Sequence, residues 1–257
     1  MISFRRWRRE RTLARCRIPQ MEFDAAISRL PLLAGLARQE LDTLHDQASL
    51  LLADKSFSAA GGAEVERSVQ LHIALQACLL TLHLDETSYR GWHEIILYPA
   101  EFLRPREEVD EAGVVHVGRD ILAGESWHGG PLVLSIADVE ASGQLDGFNV
   151  VIHEFAHKLD MLNGDANGFP PLHRGMNAAD WARDFSAAYE DLCGQVDAGE
   201  DTLVDPYAST SPAEFFAVAT EMFFEVPDLL IDTYPAVYAH LQQFYRQDPL
   251  ARLGRPT

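Results

Sequence analysis

The sequence predicts an α+β fold, and three observations carry that prediction. Apolar residues recur at helical spacing near the start. Three short β-branched or aromatic runs occupy the middle. Four further helical segments close the chain. The composition agrees, since 47% hydrophobic and 23% charged residues are ordinary for a globular protein. At 257 residues the chain makes one large domain or two small ones, and it can bury enough surface to fold without a disulfide or a metal.

Residues 1–17 hold seven arginines (Arg5, Arg6, Arg8, Arg9, Arg11, Arg15, Arg17) and one acid, Glu10. Together with the next two residues they read as an arm, 1–19, expected to be a solvated tail able to touch an anionic partner. Leu36 to Ala53 carries apolar residues at 36, 41, 44, 48, 51 and 52, a helical rhythm. Gly61-Gly62 breaks the chain, and Val65 to Leu84 is a second, very apolar helix. Residues 20–90 are thus expected to be a helical part, preceding a core over 91–250 within one compact unit.

The pattern then changes. Glu94 to Tyr98, Val114 to Val117 and Leu132 to Ile136 read as strands. Asp146-Gly147 opens an apolar helix from Phe148 to Leu162, closed by Asn163-Gly164. A loop rich in Gly, Asn and Pro follows over 163–177 and is a candidate mobile loop. Three more helices are expected near 178–196, 212–225 and 234–247. Strands packed with segregated helices make this an α+β arrangement.

Charge narrows the function classes. The formal net charge is −18, and outside the first seventeen residues it is −24. A body that acidic repels phosphate backbones, so nucleic-acid binding by the folded part is not expected. No run of about 20 apolar residues is present, and none of 7–15 follows the arginines, which argues against a membrane span and a secretion signal. Cys16, Cys78 and Cys193 form no C-x-x-C pair and read as reduced thiols, so a cytoplasmic location is expected.

The chemistry concentrates at His153-Glu-Phe-Ala-His157, inside the 148–162 helix. At 3.6 residues per turn His153 and His157 lie one above the other on a single face. Two imidazoles so placed can bind one tetrahedral Zn²⁺, while Glu154, about 100° around the helix, can reach a water on the metal. This is the H-E-x-x-H pattern of metallopeptidases, and its chance occurrence in a chain of this composition is about 3%.

A hydrolytic zinc site needs a third protein ligand. The His-x-x-Gly-x-x-His continuation of metzincins fails, because Asp160 and Asn163 stand at the glycine and last-histidine positions. Asp160 suits a carboxylate that orients an imidazole N–H better than it suits a ligand. Glu214 and Glu221, in the 212–225 helix, remain as ligand candidates. Ser211-Pro212-Ala213-Glu214 is also a helix-capping pattern, which offers Glu214 a structural role instead. Spacing alone favours Glu214 over Glu221, and Glu221 over Asp160, without deciding among them.

Several stretches together closely resemble the Mlc titration factor A family. They are His153 to Met161, Asn163-Gly164-Asp165, Asp205-Pro-Tyr-Ala208 and Pro212 to Val218, with His93 to Ala100, Ser126-Trp127, Gly130-Pro131, Gly147-Phe148-Asn149 and Gln243 to Leu250. The resemblance covers about residues 20–250, and the arginine arm has no clear counterpart in it. It implies a zincin-like fold and a bacterial zinc metallopeptidase of the gluzincin type. By that resemblance the zinc ligands are His153, His157 and Glu214, the general base is Glu154, and Glu221 has a core or supporting role. A tyrosine seven residues before the third ligand falls on Tyr207, the candidate second donor to the oxyanion.

The expected partners are a peptide substrate and, by the same resemblance, a sugar-responsive repressor of the Mlc type. The alternative is a repressor-sequestering protein whose zinc site is vestigial or structural. In zincin folds the strand before the metal helix is the sheet edge, so Leu132–Ile136 is expected to be the edge on which an extended peptide pairs.

Overall fold

The computed structural model describes residues 4–60, 65–85, 88–99, 102–109, 115–122, 124–126 and 129–255. In chain order the α-helices are α1 (Phe4–Cys16), α2 (Gln20–Ile27), α3 (Arg38–Asp54), α4 (Arg67–Leu80), α5 (Ile136–Ala141), α6 (Val150–Asp160), α7 (Ala178–Asp197), α8 (Pro212–Glu225), α9 (Pro227–Thr233), α10 (Pro235–Tyr245) and α11 (Pro249–Leu253). The strands are β1 (Ser56–Ala59), β2 (Glu94–Tyr98), β3 (Phe102–Val109), β4 (Val115–Leu122), β5 (Gly124–Ser126) and β6 (Leu132–Ser135). The architecture is α+β and mostly helical.

One sheet runs in the order β1-β2-β6-β5, with β1, β2 and β6 parallel and β5 antiparallel to β6. β3 and β4 form a separate antiparallel pair. Leu132 to Ser135 is therefore an interior strand and not the edge: Val133 faces Ile96 on one side and Glu125 on the other. The apolar run Leu132-Val-Leu fits that place, since all four β6 residues are buried and a strand covered on both faces has no reason to alternate. The edge on that side is β5, which packs against α6.

The arm is helical, although most of its residues stay exposed to solvent. Residues 4–16 form α1, which packs on α3 and is tied to it by Arg9–Asp46 at 3.1 Å, while Arg17, just beyond its end, adds an ion pair to Asp46 at 3.0 Å. The Gly61-Gly62 break, Val114 and Trp127 lie outside the described residues. Among the described residues no helix is long and apolar enough to cross a membrane.

Two helices are apolar nearly all round and sit at the centre. α4 buries every residue from Ile73 to Leu80, and α8 every residue from Phe215 to Glu225. Around α8 the rings of Trp181, Phe185, Phe216, Phe244 and Tyr245 pack on one another, Trp181 and Phe185 stacked and the other pairs tilted or edge to face. α6 lies against both central helices, so a polar group on it faces either the core or the cleft that the helices leave open.

Candidate metal centre

The start of α6 is fixed first. Asn149 is its N-cap, and its side-chain oxygen accepts from the Ile152 N–H at 2.9 Å. The Asn149 amide nitrogen donates to Gln76 of α4 and to Glu225 of α8, and its backbone N–H donates to Glu221. Three elements thus meet at the cap of the helix that carries the motif.

The start of α8 is fixed the same way. Ser211 is the N-cap, accepting from the Glu214 backbone N–H at 3.2 Å, with Pro212 in the first turn. The Glu214 carboxylate does not turn back to complete a capping box. It reaches across to α6, where one oxygen lies 2.9 Å from His153 Nε2 and 3.2 Å from His157 Nε2. The two Nε2 atoms are 3.2 Å apart.

Three lone-pair-bearing atoms from two helices therefore converge on one point. The edge of a tetrahedron drawn around an ion with arms of about 2.05 Å is about 3.3 Å, close to these separations. The donor set of two imidazoles and one carboxylate is a transition-metal set. Two ring nitrogens facing one another at 3.2 Å also require either a shared proton or a cation between them. The residues fit a metal ion of zinc type.

Glu221 does not join this group. It sits two turns along α8 and accepts from His153 Nδ1 at 2.8 Å, which orients the ring and presents Nε2 to the centre. Asp160, expected to orient an imidazole, instead accepts from the backbone N–H groups of Asn167 and Gly168 at 2.7 Å each. That pins the 163–177 loop, which is further held by Trp181 Nε1 donating to the Gly168 carbonyl.

Electrostatics at the centre follow from burial and the two carboxylates. Burial pulls the His153 ring down, but Glu214 and Glu221 outweigh it and hold the imidazolium well above its ordinary range. Burial pushes Glu214 up, yet the two histidines hold its carboxyl well below the usual carboxylate range. Glu225, buried beside the acids Asp146 and Glu221, is raised to about 7 in spite of its hydrogen bonds.

Beside the centre lies a cavity of about 410 Å³. His153, Glu154 and Tyr207 line it, with acids Asp146 and Asp205, an apolar wall that includes Phe148, Met222 and Leu229, and no Lys or Arg. Glu154 is 4% exposed. Tyr207 sits in a 3-10 turn over Pro206–Thr210, its ring centroid 6.2 Å from that of His153, and is 46% exposed.

The sequence profile of a family described as glucose-regulated metallo-peptidase M90 matches residues 4–246. The chain belongs to this family. The match takes in α1, so the arginine-rich helix lies within the family pattern rather than ahead of it. Among curated proteins the chain is similar to "Mlc titration factor A" of Yersinia pestis (strain Pestoides F), 42% identical over 229 residues, covering 88% of this chain and 84% of the relative. The protein of the same name from Yersinia pseudotuberculosis (serotype O:1b, strain IP 31758) matches with the same identity and coverage.

The site residues that spacing did not point to are the partners of Asn149, above all Gln76 and Glu225. A signal for Glu221 was present. Seven residues is close to two helical turns, so Glu214 and Glu221 share a face of α8.

Proposed function

We propose that this chain is a zinc-dependent peptidase, with His153, His157 and Glu214 as the metal ligands. The convergence of their three atoms between α6 and α8 carries the reading. Zn²⁺ bound there supplies Lewis acidity, which acidifies water and polarises a scissile carbonyl. Glu154, one residue from the first ligand and on the cavity wall, takes the proton from the attacking water at its carboxylate and returns it to the leaving amine. Tyr207 faces the same cavity and donates its phenol O–H to the oxyanion. Glu221 keeps His153 turned with Nε2 towards the metal.

An extended peptide would enter along β5, the antiparallel edge beside α6, whose outer backbone groups have no strand partner among the described residues. The test is Glu154→Gln. The variant should bind zinc with unchanged stoichiometry and lose peptide hydrolysis by about 10²–10⁴-fold. Near-normal cleavage of a peptide library by the variant would refute the assignment.

The name of the relatives favours a second, compatible role, in which the chain binds an Mlc-like repressor. If that role needs no chemistry, Glu154→Gln should titrate the repressor as well as the parent chain does.

A further inference from the structure

A second cavity, which shares no lining residue with the metal cleft, measures about 920 Å³. Its walls are α1, one face of α3, and residues 81, 84, 85 and 88–90 after α4. The arginine helix supplies Arg8 and Thr12, one turn apart on one face, and Arg90 lies beside Tyr89 on the wall after α4. The floor is apolar, with Leu50 and Leu51 of α3 and the Tyr89 ring.

Three polar groups on this cavity lack partners. Arg8 and Arg90 have no hydrogen bond or ion pair among the described residues, whereas Arg9 and Lys55 on the same walls are paired with Asp46 and Asp54. Gln47 Oε1 is buried without a donor. Its amide cannot simply flip, because Nε2 points at the carbonyls of Thr81 and Leu82, at 3.4 and 3.5 Å. The acids Asp54 and Asp85 line the cavity too, Asp54 paired with Lys55, so the two unpaired guanidiniums are the groups open to an anion, and the buried Gln47 Oε1 is open to an O–H or N–H.

We propose that this cavity binds a small phosphate ester that also carries hydroxyl or amine donors. Guanidiniums match phosphate oxygens with paired N–H donors, and Gln47 Oε1 accepts from the organic part. The volume is that of a small-molecule pocket. A nucleic acid or a lipid surface fits less well, since the arginines open into a concavity on a body whose remaining charge is −24.

The experiment uses the full chain dialysed free of metal, so that no anion is counted at the metal centre. Inorganic phosphate, glycerol phosphate and glycerol are titrated calorimetrically into it. Glycerol phosphate should bind with a dissociation constant below about 1 mM, inorganic phosphate more weakly, and glycerol not at all. Arg8→Ala and Arg90→Ala should each weaken both anions about tenfold or more, one charge-assisted bond being lost. Both side chains are exposed, so the variants should melt with the parent. Gln47→Leu should weaken glycerol phosphate and leave inorganic phosphate unchanged. Absence of anion binding, or binding untouched by both arginine variants, overturns the proposal. So does a tighter, arginine-dependent response to duplex DNA or to anionic vesicles than to glycerol phosphate.

Discussion

Alanine at position 214 or at position 221 separates holding the metal from holding the fold. The N-cap bond of α8 comes from the Glu214 backbone N–H, which alanine retains. The lost carboxylate touched only the two imidazoles at a site 21% open to solvent, so the metal-free Glu214→Ala chain should lose no more than about 1–2 kcal/mol of stability. Structural zinc sites bind with about 10–16 kcal/mol over four ligands, or roughly 2.5–4 per ligand, so zinc affinity should fall about 100- to 1,000-fold. Glu221→Ala reverses the weighting. It strips the acceptor from a buried backbone donor, Asn149 N–H, and from His153 Nδ1, at about 1–3 kcal/mol each. The metal-free protein should thus lose about 2–6 kcal/mol, while zinc affinity falls only about 10- to 100-fold. Urea unfolding of the metal-free chains and competition with a chromophoric chelator give both axes. Glu214→Ala retaining wild-type affinity, with Glu221→Ala losing the metal, would reverse the ligand assignment.

Tyr207→Phe should keep zinc and lower kcat for peptide hydrolysis by about 10²–10³-fold, with KM little changed; an unchanged kcat removes Tyr207 from the reaction. Burial pushes the Glu225 carboxyl in the folded chain up to about 7, above the ordinary carboxylate range. The folded chain therefore holds a proton that the unfolded chain releases across that window, and stability is lost as pH rises through it, by at most about 1.4 kcal/mol per unit. Glu225→Gln should flatten that slope in urea unfolding between pH 5 and 7, and an unchanged slope assigns the dependence elsewhere. Gly168 has φ +76°, and a side-chain carbon there would collide with the Pro212 carbonyl oxygen at the start of α8. Gly168→Ala should lower stability by about 2 kcal/mol or more and weaken zinc binding along with it, read by melting and metal competition; an unaffected metal affinity would mean that α8 does not move with the loop.

What could be read from the sequence follows from how local each signal is. Helical periodicity and capping are local, and α8 falls on residues 212–225 as expected, with Ser211 as N-cap. The H-E-x-x-H pair is also local, because four residues of helix alone put two imidazoles on one face. Strand neighbours are not local. Nothing within Leu132 to Ile136 says that β5, three residues of the run Gly124–Ser126, pairs outside it, so an edge was expected where an interior strand stands. The short helices α9 and α11 and the arginine helix α1 also escaped, the first two being too short for a periodic stripe and the third too rich in charge to show one. The roles of Asp160 and Glu221 depended on which carboxylate tertiary packing brings to His153, and helical spacing narrowed that choice without making it.

The three acids of α8 explain how such a centre can be held without a rigid loop. Glu214, Glu221 and Glu225 are seven and eleven residues apart, which at 100° per residue places them within about 40° of one another on a single stripe. That stripe runs antiparallel along α6: Glu225 meets the cap Asn149, Glu221 meets both that cap and His153, and Glu214 meets His153 and His157. One helix thereby reads the start, the first histidine and the second histidine of the other. A slip of a single residue between them would rotate the acids by about 100° and break every one of these bonds together, so no intermediate register is supported. The arrangement of the proposed ligands is then a property of a helix pair joined at its caps. Tyr207 and the proposed peptide edge β5 lie outside that pair.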